Sequence, residues 1–453
     1  MQHVTPTSAV VRVEVDPPAP VTLEVGLSPA GPAGATGDLP EAGAASAIES
    51  REVRALHTIL VKGLTPATRY PFTVRAHGAP RYGALTTAPA DGSDSPFRFL
   101  VYGDNRTDDA AHASVVRAMV ASTSSFVLNT GDMVENGGSA SQWQTFFDIE
   151  APITRERPIF AVVGNHELVE GAGAEYVRYF GPAQLPKSLL APSPTITGAA
   201  LDGGAPPLSL DQLSGTFRWG NTRFFLLNGM VGYTSGPTRA WLDKALAESD
   251  AEAGIVWRIV VVHHGLRSSG PHGGNRLLDE ANIAQLLRSH GVDLVISGHD
   301  HIYERGFADG LSYLVSGGGG APVYRVKKAE VTSRRYESVR HFVEAAVSGV
   351  AIQFVATRPD GSTIERCALR KGSGWDCDGD TGAADAGTDG GGTSAAATER
   401  TQERTSTSSR CGCRVAGGDA DPSALSLLAA CAIIAAWRRR SAPFRASYRS
   451  SFR

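Results

Sequence analysis

The chain has 453 residues, 42% of them hydrophobic, with 51 Gly, 26 Pro and a formal net charge of −3. That length predicts two domains plus extra segments. The near-balanced charge, without a basic stripe, argues against specific nucleic-acid binding, and no apolar run is long enough to span a bilayer.

The opening MQHVTPTSAVV has neither the basic flank nor the apolar stretch of a signal peptide. Next come two alternating runs, Val10–Val15 and Val21–Val25, each with the period of a half-buried strand. After a Gly/Ala/Pro-rich loop, His57–Val61 and Phe72–Ala76 continue in strand character. The phrase Gly63–Tyr70 resembles the tyrosine corner of fibronectin type III-like domains, in which a Tyr hydroxyl ties back to nearby backbone. The expectation is an all-β sandwich over residues 1–90, acting as a structural spacer and ending at the Ala-Pro-Ala-Asp-Gly-Ser linker.

From Phe97 the pattern changes to short, mostly apolar runs that read as strands buried on both faces, separated by helical periodicity. The predicted strands are Phe97–Tyr102, Phe126–Asn129, Ile159–Val163, Phe224–Asn228, Ile255–Val262, Leu294–Ser297 and Tyr313–Ser316. The clearest predicted helices are Asp108–Ala121, Thr238–Glu248 and Leu277–His290. This reads as a layered α/β domain over residues 96–370, closed by strand character at Val347–Leu369. The Pro/Ser/Gly-rich stretch Leu185–Ser214 reads as an inserted loop.

All five cysteines lie in the last fifth of the chain. Cys367 and Cys377 either pair across the end of the folded part or are unrelated thiols. Residues 371–410 form a Gly/Ala/Ser/Thr-rich linker whose composition cannot bury a core. Over residues 411–441, Cys411-Gly412-Cys413 precedes the apolar run Ala424–Trp437 and then Arg438-Arg439-Arg440. That series resembles the C-terminal sorting tags of myxobacterial surface proteins. It implies export, recognition by surface-sorting machinery at the membrane, and a true start upstream of this one.

Five of the predicted strands end in clusters of metal-ligating residue types, where open α/β sheets place their sites. The clusters are Gly103-Asp104-Asn105-Arg106, Gly131-Asp132, Gly164-Asn165-His166-Glu167, His263-His264 and Gly298-His299-Asp300-His301. Singly, each is an ordinary turn or polar loop. Five in succession behind buried strands point to a site, and the carboxylate, amide and imidazole set suits Mn, Fe or Zn.

In this order, GDNR, GDMVENG, GNHE, VVVHHG and GHDH resemble the calcineurin-like metallophosphoesterase superfamily. The continuation GHDHIYER, the preceding sandwich and the downstream GGGGA are similar to its purple acid phosphatase branch. The resemblance covers roughly residues 8–370. It implies a four-layer fold, with helices around two mixed β-sheets, preceded by the fibronectin type III-like sandwich. It also implies two divalent or trivalent ions, Fe, Mn or Zn, and hydrolysis of a small-molecule phosphate ester. Asp132 would bridge both ions. Asp104 and His301 would complete one site, and Asn165, His263 and His299 the other. His166 would bind phosphate or protonate the leaving oxygen, and His272 would contact substrate. Two ions roughly 3.5–4 Å apart activate a water and neutralise phosphoryl charge, so no Ser or Cys nucleophile is required.

Two positions depart from the branch. Glu135 stands where its iron-binding Tyr is found, and is expected to partner His166 instead, with a metal-ligand role as the alternative. Arg106 stands where many superfamily members carry a ligating His; it cannot bind metal, but it can clamp a phosphate oxygen. The leading expectation is phosphomonoester hydrolysis. The rivals are a phosphodiesterase or nuclease on the same fold, and a catalytically weak surface binding protein. The oligomeric state is not legible.

Overall fold

The mostly apolar runs at Phe97–Tyr102 (β5), Phe126–Asn129 (β6) and Ile159–Ala161 (β7) lie side by side in parallel and are buried on both faces apart from the exposed Arg98. They belong to a computed structural model that describes residues 1, 3–27, 45–181, 195–200 and 213–377. The expected linker and sorting tag lie outside the described residues, apart from the short strand that begins at Gly374.

Four antiparallel strands extend this first sheet from β5: Phe342–Ser348 (β16), Ala351–Thr357 (β17), Thr363–Arg370 (β18) and Gly374–Cys377 (β19). A second seven-stranded sheet is built around four parallel strands, Thr222–Leu227 (β10), Trp257–Val262 (β11), Leu294–Ser297 (β12) and Leu311–Ser316 (β14). Antiparallel strands Gly215–Trp219 (β9), Tyr303–Ala308 (β13) and Ser333–Glu337 (β15) complete it. Phe99, Val101, Phe126 and Leu128 share one core with Phe224, Ile259, Val261 and Ile296, so the two sheets pack face to face.

Helices cover the outer faces. Asp109–Val120 (α1), Ala140–Thr154 (α2) and Ala174–Phe180 (α3) pack Val115, Met119, Trp143 and Tyr176 against Leu100, Tyr102 and Val127. Gly236–Ala251 (α4), Arg276–Glu280 (α5) and Ile283–Ser289 (α6) cover Val260, Val262 and Val295. The result is the expected four-layer arrangement of helices around two mixed sheets.

The N-terminal region is all β, but its described strands hydrogen-bond into one sheet rather than two. Ser8–Gly26 (β1) and Ala45–Lys62 (β2) form a long ribbon whose register shifts near Ala19. Arg69–Arg75 (β3) and Arg81–Thr86 (β4) add to one side. Thr197–Ala200 (β8), from the stretch expected to be a loop, adds to the other. The Tyr70 hydroxyl accepts a hydrogen bond from the Thr65 N–H at 2.9 Å, as the tyrosine-corner expectation requires. The sheet is tied to the α/β layers by Arg178 on Glu14 (2.9 Å) and Arg69 on Glu156 (3.2 Å).

Cys367 and Cys377 face each other on β18 and β19 and form a disulfide. Among the described residues, no helix is long and apolar enough to cross a membrane.

Candidate metal centre

The parallel strands of both sheets end on one edge, and the loops that follow them bring the predicted ligands together. Nε2 of His263, after β11, lies 3.1 Å from Oδ1 of Asn165 and 3.3 Å from Oδ1 of Asp132. Nδ1 of His299, after β12, lies 3.1 Å from the same His263 nitrogen. Metal–ligand bonds of about 2.0–2.2 Å in a tetrahedral array place donor atoms roughly 3.4 Å apart, close to each of these three contacts with His263 Nε2. On the other side of Asp132, Nε2 of His301 lies 3.6 Å from Oδ1 of Asp104.

The backbone is bent to make this possible. Asp104 (φ 57°), Asp132 (φ 55°) and His299 (φ 67°) all occupy the left-handed region, which non-Gly residues adopt mainly where the surroundings enforce it. Gly164 and Gly298 permit the close approach, because a Cβ at either would collide with Asp132 Oδ1 or Asp104 Oδ2. The other nitrogen of each outer imidazole is committed. His263 Nδ1 donates to the Thr130 carbonyl (2.7 Å) and His301 Nδ1 to the Pro322 carbonyl (2.7 Å), which turns each Nε2 toward the site.

The electrostatics suit a cation. Burial pushes Asp104 well above the usual carboxylate range, and its Oδ1 is buried without a hydrogen-bond partner. A buried carboxylate of this kind is costly unless a cation or proton meets it. Burial, with His263, His264 and His272 around it, drives His299 down to about 2. Burial likewise lowers His301 to about 4, so both imidazoles are neutral at neutral pH, the form that binds a metal. His263 differs: burial opposes its charge, but the Asp132 and Asp104 carboxylates raise it to about 10. A cation between these groups would displace that proton.

Of the four predicted catalytic residues, all border the site, and one has a different partner from that expected. His166 is near enough for its Nε2 to lie 4.0 Å from Asp132 Oδ2. Its Nδ1 donates to the backbone carbonyl of Glu135 at 2.8 Å, whereas the Glu135 carboxylate is 3.8 Å away. That carboxylate instead binds Arg106 Nη1 (2.6 Å) and Thr107 Oγ1 (2.7 Å), because the nearby guanidinium is the stronger, fully charged donor. Arg106 also reaches Asp132 Oδ2 (3.3 Å) and His301 Nε2 (3.5 Å). His272 stands on the rim, its ring 4.3 Å from that of His299 and its Nδ1 on Asp300 Oδ1 at 2.8 Å. His264, expected to be structural, bonds the Gly273 carbonyl.

Three contributors escaped the sequence reading. Glu167 accepts from the N–H groups of Gly164, Asp132 and Met133 at 2.7–2.9 Å, locking the Asn165 loop to the Asp132 loop. Asp300 holds His272 and Ser268. Both lie inside quoted motifs, so their presence was visible but their direction was not. Tyr324, whose ring stacks on His301 at 4.0 Å, carried no signal in its surroundings.

Residues 97–303 match the family described as calcineurin-like phosphoesterase. An uncharacterized protein of Mycobacterium tuberculosis strain H37Rv is 28% identical over 282 residues, 56% of this chain and 51% of that protein. Purple acid phosphatase 3 of Arabidopsis thaliana is 27% identical over 288 residues, 58% of this chain and 75% of that protein. The chain thus spans about half the length of the first of these relatives. Purple acid phosphatase PPD1 from yellow lupin seeds superposes with a TM-score of 0.63 at 18% identity, covering 82% of this chain and 73% of that one. PhoD superposes with a TM-score of 0.61 at 13% identity, covering 83% of this chain and 90% of that one.

Proposed function

We propose that this chain, which contains a calcineurin-like phosphoesterase domain, hydrolyses phosphate monoesters with two metal ions, of Fe, Mn or Zn. Asp104, Asp132 and His301 would hold one, and Asp132, Asn165, His263 and His299 the other. The supporting observation is the approach of the Asp132, Asn165 and His299 donor atoms to His263 Nε2 at 3.1–3.3 Å, beside Asp104 Oδ1, which is buried without a hydrogen-bond partner. Ions at these positions supply charge neutralisation and a water of lowered pKa. The chain's own residues do the rest. His166, held at Nδ1 by the Glu135 carbonyl, presents Nε2 toward the site to pass a proton to the departing oxygen. His272, braced by Asp300, offers a donor at the rim to a phosphoryl oxygen.

The N-terminal β region is read as a fibronectin type III-like spacer, on the strength of the Tyr70 corner. The protein is read as displayed on the cell surface, on the strength of the Cys411-Gly412-Cys413 tail. Intact mass of surface material tests the second reading: cleavage near Cys411 supports it, and retention of Arg453 rejects it. A panel of monoesters and diesters tests the activity. Monoester turnover should vanish with chelator and return with added metal; preference for diesters would transfer the assignment to the rival phosphodiesterase.

A further inference from the structure

The two ion positions are unequal, and the difference lies in one side chain. The position formed by Asp132, Asn165, His263 and His299 has four donors, three of them within 3.1–3.3 Å of the fourth, His263 Nε2. The position formed by Asp104, Asp132 and His301 has three donors and the Arg106 guanidinium against two of them, 3.3 Å from Asp132 Oδ2 and 3.5 Å from His301 Nε2. A permanently charged, planar group so placed neutralises the carboxylates and repels an arriving ion. Resting on the metallophosphoesterase reading, we infer that Arg106 is a tethered counter-cation of the first position, so that this chain binds one ion tightly and admits the second only when Arg106 withdraws.

The fold provides somewhere for it to go. A cleft of about 180 Å³ opens beside the guanidinium, lined by Thr107, Asp109, Glu135, Gln142 and Thr145 among others. Glu135 already holds Nη1 at 2.6 Å on the exposed side, with its carboxylate 46% exposed. Rotation about the Arg106 stem trades Asp132 and His301 for the acidic and amide groups of that cleft while keeping the Glu135 contact. The substitution of Glu135 for an ion-binding Tyr and the presence of Arg106 then form one device. The acid anchors the arginine that governs the first position.

The test is Mn²⁺ titration of the metal-free full chain by calorimetry, with electron paramagnetic resonance reporting exchange-coupled pairs. Wild type should take up one ion with the second at least ~10-fold weaker, and show no coupled signal at one equivalent or slightly above. Arg106→Ala should bind two ions of similar affinity and give the coupled signal, while Arg106→Lys, which keeps the charge, should resemble wild type. Retention of the tight ion in Arg106→Ala shows that the variant is folded. Two equally tight ions in wild type, an unchanged second affinity in Arg106→Ala, or a lysine variant behaving like alanine would overturn the inference alone. Failure of every form to bind any ion would overturn the metallophosphoesterase reading and this inference with it.

Discussion

His263 and Asn165 meet at 3.1 Å across the boundary between the two sheets, one following β11 and the other following β7. The two residues therefore face each other from opposite halves of the α/β core, and an ion held between them would act as a clasp. Asn165→Ala removes one jaw without disturbing either sheet. We predict that it weakens the tightly held ion by at least ~10–100-fold, as disturbing the support of a metal ligand does. Circular dichroism should remain native, and titration with Zn²⁺ gives the affinity; an unchanged constant would place the ion elsewhere.

The support of His166 by a backbone carbonyl separates two roles that the sequence merged. His166→Asn should slow esters with alkoxide-like leaving groups by ~100-fold or more, the usual scale of general-acid catalysis, and activated aryl esters far less. Glu135→Gln leaves the carbonyl in place and should preserve the wild-type ratio between the two substrate types. Equal slowing of both by the His166 change, with chemistry rate-limiting, would reduce His166 to a binding group.

How much was readable follows from where the physical signal is local. Strands β5, β6 and β12 match their predicted bounds because strands buried on both faces read as near-continuous apolar runs, broken in β5 only by the exposed Arg98 and ended in β6 and β12 by Asn129 and Ser297. Strand β13 was missed because Glu304 and Arg305 are buried in it. They are paired with Ser269 and Glu365, and no local pattern announces such partners. The predicted helix Leu277–His290 breaks at Asn282, which adopts φ 51° between α5 and α6. Helix α2 has an inward face of Trp143, Phe146, Glu150 and Ile153, but the acid at Glu150 masks its period. The converging residues Asp104, Asp132, Asn165, His263, His299 and His301 were legible as candidates because each lies in the loop just after a strand. The partner of Glu135 was not, since an arginine twenty-nine positions away and a neighbouring threonine claim it through space.

Stability should carry a pH dependence from His341, which is fully buried and bonded to Ser316 Oγ. Burial lowers it from the ordinary 6.5 to about 4. Unfolded chains take up this proton below 6.5 and the folded protein does not until about 4. The contribution to stability is thus intact above 6.5 and lost progressively as pH falls toward 4, by roughly 3 kcal/mol. Urea unfolding of wild type and His341→Gln at pH 7, 5.5 and 4.5 should show the wild type declining more steeply. Parallel declines would mean that His341 is protonated within the fold.

Iron-loaded protein should lack an intense tyrosinate-to-iron absorption band, because none of the residues proposed to hold the ions is a tyrosine. The nearby Tyr324 stacks on His301 by its face. A visible spectrum decides the point, and a strong band would show that a tyrosine ligates after all.

The central claim is that Asp132 serves both ions, and the most direct measurement is metal content and phosphate-release rate determined together on Asp132→Ala. Its carboxylate touches the His263 side of the centre through Oδ1 and the Arg106 side through Oδ2. The variant should lose affinity at both positions, and its hydrolysis of nitrophenyl phosphate should fall to background. Two tightly held ions and a wild-type rate in that variant would contradict it.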